Sequence, residues 1–190
     1  MSMREARGAG VALLLICAGA GVAAADPTPH LGRPATDEAV ARWNLSVYPD
    51  GRGLPAGAGT AAQGRAVYDA HCAKCHGAQG EGGSGGTLAG RGPLTDPDPD
   101  QTVGNYWPYA TTLFDFIRRA MPMDAPATLS DDQVYAVSAY VLYLNRIVGL
   151  DERLDAGSLP RIRMPNRDGF IGIDAELPAQ PRHATPADAH

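Results

Sequence analysis

Cys72-Ala73-Lys74-Cys75-His76 places two thiols and an imidazole within five residues. The order C-x-x-C-H is the pattern for covalent attachment of a c-type haem. Cys72 and Cys75 would bond the porphyrin vinyl groups, and His76 would bind the iron from one face. Three other chemistries use a C-x-x-C pair. A structural zinc site usually needs four protein ligands, often two pairs. Here Cys17 is the only other cysteine, and His30, His71, His183 and His190 show no paired ligand spacing. A thioredoxin-like pair wants a βαβ context, which the pattern lacks, and a structural disulfide is the plainest alternative.

Iron held by His and Met has a raised potential suited to electron transfer. Met121 is the first candidate for the second axial position. It lies 45 residues after His76, directly before Pro122, which stiffens the loop that would hold the sulfur. Met123 is the alternative two residues on, and Met164, in Arg163-Met164-Pro165, is the third. His71 is set aside, because Cys72 beside it must already face the porphyrin edge.

Three helices would position these groups. The first opens on Thr60-Ala61-Ala62-Gln63, a capping box. Ala62, Ala66, Val67 and Ala70 lie near one face with Tyr68 flanking, and the helix delivers Cys72 and Cys75 near its end. Residues 77–110 are rich in glycine and then run through Asp96-Pro97-Asp98-Pro99-Asp100, so a loop along the haem edge is expected. A second helix should start at Thr112-Leu113-Phe114-Asp115, bury Leu113, Phe116, Ile117 and Ala120, and stop at Met121, since a residue before proline avoids the helical region. Arg118 and Arg119 suit its C-terminal end and a solvated face. The third, opening on Ser130-Asp131-Asp132-Gln133, carries Val134, Val137, Val141, Leu142 and Leu144 at helical spacing to about Asn145.

The ends of the chain bear on where such a site is assembled. Arg4 and Arg7, the apolar run Val11 to Ala18 and the small residues to Ala25 follow the order of a secretory signal peptide. The run is short for a membrane span. Cleavage is expected after Ala25, with the protein in the periplasm and no stable membrane span afterwards. That step removes Cys17 and leaves no thiol outside the motif, as suits an oxidising compartment. It also leaves 14 basic and 20 acidic side chains, a net charge of −6, which argues against nucleic-acid binding. The expected organisation is a signal peptide at 1–25, an extended N-terminal arm at 26–59, a cytochrome c domain at 60–148 and an extended C-terminal arm at 149–190. Residues 175–190 are expected to be a disordered tail.

With these residues placed, the chain resembles the class I c-type cytochromes through Cys72, Cys75, His76, the Met121-Pro122 loop and the helix at 130–145. That resemblance implies an all-α fold: a mono-haem core of three or more helices with extended N- and C-terminal arms, enclosing one covalent haem c except for one edge. A closer resemblance runs from Leu31 to Phe170. Leu31 to Thr36, Pro49 to Pro55, Val103 to Ala110, Ala139 to Asn145 and Ile162 to Asn166 are similar to the cytochrome subunits of sulfite and sulfane dehydrogenases. The resemblance implies electrons received from a molybdenum-cofactor dehydrogenase subunit and passed to a downstream cytochrome or oxidase. Such a subunit transfers electrons without catalysing a reaction of its own. The alternatives are a haem enzyme with an open, peroxidase-like iron site, a haem-based gas sensor, and a free carrier without a dedicated dehydrogenase.

Overall fold

A computed structural model of the chain describes residues 32–95, 97–170 and 172. Its elements, in order, are α1 (Asp37–Trp43), β1 (Ala58–Thr60), α2 (Ala61–His71), α3 (Ala73–His76), α4 (Ala110–Ala120), α5 (Asp131–Leu144), β2 (Arg153–Asp155) and a 3₁₀ turn at Leu159–Arg161. The described residues from Thr36 to Phe170 form one packed unit, and residues 32–35 before it carry no regular element. The expected signal peptide at 1–25 and the tail at 175–190 lie outside the described residues.

The capping box expected at Thr60 forms, the capping pattern expected at Thr112 does not, and a second box forms at Ser130. Thr60 Oγ1 accepts from Gln63 N at 3.3 Å while Gln63 Oε1 accepts from Thr60 N at 2.9 Å. Ser130 and Gln133 repeat the exchange at the head of α5, at 3.3 and 2.9 Å. Each box satisfies amides that a helix start leaves without partners.

The face by which α2 packs differs from the expected one. Ala62, Ala66 and Ala70 are exposed, and the buried residues are Ala61, Gly64 and Tyr68. The reason is the closeness of the crossing with α5. A Cβ on Gly64 would lie 1.9 Å from the carbonyl oxygen of Ala136, and one on Gly59 would lie 2.5 Å from Ala136 Cα. Only glycine permits such an approach, so the crossing point follows Gly64 and the alanines are turned to solvent.

The all-α expectation needs one correction: β1 and β2 form a two-stranded antiparallel sheet, pairing Ala58 with Asp155, Gly59 with Leu154 and Thr60 with Arg153. It joins the two segments that flank the helical core. Beyond it, Leu154, Leu159 and Met164 are fully buried, so the arm from 149 contributes to the core as well as extending from it. The N-terminal arm is tied down by side chains of α4 and α5. Val47 N donates to Asp115 Oδ1 at 2.9 Å, Tyr135 Oη donates to Pro55 O at 2.9 Å, and Ala58 N donates to Asp132 Oδ1 at 2.8 Å.

Helix α4 starts two residues before the expected Thr112, at Ala110, with no side-chain cap. Its start is set by the C-terminal segment instead. Tyr109 pairs with Arg163 in an isolated β-bridge, and the Arg167 guanidinium stacks 4.3 Å above the Tyr109 ring. Phe114, not Phe116, enters the core, where its ring lies 4.5 Å from that of Tyr135. Arg119 pairs with Asp115, and Arg118 reaches Asp131 at 3.1 Å.

Replacing Gly64 with alanine sets two effects against each other. Helix propensity favours alanine by about 1 kcal/mol. The backbone clash with α5 forces the helices apart, which costs about 1–3 kcal/mol or more. Gly64→Ala is expected to lower the unfolding free energy in urea titration. Gly92→Ala, whose Cβ would meet nothing within 4 Å, should leave it within about 0.5 kcal/mol.

Candidate functional site

The end of α2 and the start of α3 build the C-x-x-C-H turn. Cys72 N still donates to Tyr68 O at 2.8 Å, but its φ of −114° breaks the helix. The next turn is closed on Cys72 O, which accepts from Cys75 N at 3.1 Å and His76 N at 3.0 Å. Both cysteines are free and half-buried. Gly77, at φ +80°, takes the chain out of the turn, and Tyr68 Oη donates to its carbonyl at 2.8 Å. Burial raises the phenol pKa of Tyr68, which keeps this donor protonated.

His76 is oriented by the glycine loop. Its Nδ1 lies 2.7 Å from Gly86 O. A carbonyl only accepts, so Nδ1 carries a proton, and in the neutral ring that leaves the lone pair on Nε2. Gly85 stands against the ring: a Cβ there would come within 2.8 Å of His76 Cε1. Asn145 fixes the next stretch of the loop, accepting from Gly90 N at 3.0 Å and donating to Leu88 O at 3.1 Å.

Met121 ends α4. Its amide donates to Ile117 O at 3.0 Å, its backbone is extended, and its bond to Pro122 is cis. The side chain packs partly buried against the core, whereas Met123 is 76% exposed. Met164 is 1% exposed within the core and does not line the cavity described next.

Cys72, Cys75, His76, Met121 and Met123 all line one cavity of about 710 Å³. Leu113, Ile117, Val137 and Val141 form its apolar walls, with Trp107 and Phe116 in edge-to-face contact at 5.8 Å. His71, Lys74 and Asp124 also line it. Lys74 Nζ lies 2.5 Å from Asp124 Oδ2, and this bond raises the lysine pKa and lowers that of the carboxyl. Burial, with Cys75 close by, pushes the Cys72 thiol up to about 11. Among the described residues, no three His, Cys, Asp or Glu side chains cluster as a metal-holding group.

This donor set fits a haem. Two thiols share one turn, an imidazole with a free Nε2 follows them, a thioether shares the cavity, and the remaining wall is largely apolar. The spacing made Cys72, Cys75 and His76 visible in the sequence, and Pro122 marked Met121. Gly85, Gly86 and Asn145 were missed individually, since their role depends on which atoms the loop brings against the imidazole. The Lys74–Asp124 contact, across fifty positions, left no local signal.

The family described as cytochrome c oxidase, cbb3-type, subunit III matches residues 59–141. The thiosulfate dehydrogenase of Allochromatium vinosum is 37% identical over 84 residues, which cover 42% of this chain and 29% of that protein. The crystal structure of the sulfane dehydrogenase SoxCD from Paracoccus pantotrophus superposes with a TM-score of 0.72 at 38% identity, covering 83% of each chain. The chain therefore belongs to the class I c-type cytochromes, and membership implies haem c as the cofactor. Within that class it resembles the cytochrome subunits of sulfur-compound dehydrogenases.

Tyr68→Phe would leave Gly77 O without its donor while keeping the ring packed. Loss of one partly buried hydrogen bond of this kind costs about 1 kcal/mol. Urea unfolding of the variant should show that loss with little change in the slope against denaturant.

Proposed function

We propose that the protein is a periplasmic mono-haem cytochrome c that accepts electrons from a molybdenum-cofactor sulfite or sulfane dehydrogenase subunit and passes them to a respiratory acceptor. The observation that carries the relay is the apolar cavity lined by both His76 and Met121. Haem, when bound, supplies a single iron that takes up and releases one electron. Cys72 and Cys75 would tether it through thioether bonds. His76 Nε2 and Met121, with Met123 as the alternative to Met121, would hold its iron.

The chain contributes rigidity and dryness. Gly86 O holds the His76 ring in one tautomer, and such outer hydrogen bonds orient and tune a metal ligand. Leu113, Ile117, Val137 and Val141 keep water off the site. Held by His76 and Met121 together, the iron would have a raised potential suited to electron transfer. Met121 on the cavity wall supports this reading over an open-iron haem enzyme.

The partner rests on the resemblance to the dehydrogenase structure and on the arms. Helix α1 buries none of its seven residues and leaves Val40 51% and Trp43 88% exposed. A face of that kind suits an arm laid along a catalytic subunit. Export is supported by the signal-like order of residues 1–25. Among the described residues, no helix is long and apolar enough to cross a membrane.

Met121→Ala is expected to abolish the weak red absorption of the ferric protein that reports a methionine–iron bond, and Met123→Ala to retain it. The reverse result assigns the ligand to Met123, and rapid cyanide binding by high-spin wild-type iron supports the open-site enzyme. Purification from the native source should yield a molybdenum-containing subunit together with the haem. A cytochrome that comes alone under gentle conditions points to a free carrier.

A further inference from the structure

The two sides of the cavity are held very differently. The turn at 72–77 is fixed by α2, by Tyr68 and by the loop bonded to His76 and Cys75. The segment from Met121 to Thr128 has mostly local bonds. Met121 N donates to Ile117 O, Ala125 N to Pro122 O, and Thr128 Oγ1 to Ala125 O. Among the described residues, its one hydrogen bond or ion pair to the attachment turn is Lys74 Nζ to Asp124 Oδ2, at 2.5 Å. Both side chains line the cavity, and they are 54% and 62% exposed, so the bond lies at a solvent-exposed part of the lining.

We infer that the Lys74–Asp124 ion pair is a strap across the mouth of the cavity, holding the Met121–Asp124 segment closed on the attachment turn. The inference rests on the proposed haem site and deepens it. Lys74 and Asp124 are positioning residues: they act through Met121, three residues from Asp124, and touch no reacting atom in this role. Opening the loop exposes the iron side of the cavity, so the strap limits how fast a small ligand replaces the Met121 sulfur. An exposed ion pair is a modest restraint and is weakened by salt, which sets the size of the effect and supplies a diagnostic.

The test is stopped-flow binding of imidazole to the ferric full-length holoprotein, at about pH 8, where imidazole is neutral. Asp124→Asn and Lys74→Gln should each bind imidazole about two- to fivefold faster than wild type. Lys74→Arg, which keeps the charge, should stay near the wild-type rate. Raising the ionic strength to about 1 M, where screening acts over about 3 Å, should bring wild type up to the variants' rate and leave the variants unchanged. Arg163→Gln, which breaks an exposed pair with Asp168 on the C-terminal arm, should have no effect. Lys74 is the only lysine of the chain. Acetylation of the protein should therefore reproduce Lys74→Gln, and should not further accelerate that variant.

Equal rates in wild type and Asp124→Asn, with the red methionine–iron absorption present in both, overturn the strap and leave the ligand assignment standing. Absence of that absorption from wild type overturns the ligand assignment and the strap with it.

Discussion

The close crossing of α2 over α5 is the constraint on which the rest depends. Gly59 and Gly64 bring backbone against Ala136, and nothing larger fits between them. That contact sets the angle at which α2 arrives at Cys72. It also fixes where α5 presents Val137 and Val141, which are cavity wall. One helix thus delivers the tethering groups and the other half of the apolar lining, and a shift at the crossing would misalign both. The β1–β2 pair reinforces the same point, since Gly59 is both a strand residue and a crossing residue. Interiors packed this closely transmit displacement rather than absorb it.

From that crossing the order extends outward through hydrogen bonds. Asn145, at the end of α5, accepts from Gly90 and donates to Leu88 and Val141. A Cβ on Gly104 would strike its side-chain oxygen at 2.2 Å. One buried amide therefore holds two stretches of a long loop that has little regular structure of its own. That loop in turn brings Gly86 O to His76 Nδ1. The glycines look like a flexible linker by composition, yet several are there because a neighbouring group occupies the space of a side chain.

What the sequence made legible was chemistry with local spacing. The cysteine pair and His76, the capping box at Thr60, and the end of α4 before Pro122 each depend on residues within a few positions. Phe114 and Phe116 could not be separated that way, because helical spacing allowed either to face the core. Three-residue strands are too short to show alternation, so the sheet was missed. Gly64 carries no hydrophobicity, so an apolar-face reading put the alanines inside. Met164 is a ligand candidate by sequence because of its sulfur. Its burial is decided by the chain that follows β2, and only the three-dimensional path shows it.

The unequal support of the two axial candidates bears on what kind of protein this is. His76 is held by an adjacent helix, a tyrosine and a carbonyl, all anchored to the crossing. Met121 is held by the last turn of α4, by packing of its side chain, and by a loop whose bonds are mostly local. Segments with few distant contacts open at low free-energy cost. A relay and an open-site haem enzyme would differ chiefly in whether that loop stays closed. The apolar wall from α4 and α5 favours closure, because an open loop would wet Leu113, Ile117, Val137 and Val141 together. Hydrophobic burial of the cavity and closure of the loop that carries Met121 are thus one coupled event, and the same core that folds the protein holds Met121 at the cavity wall.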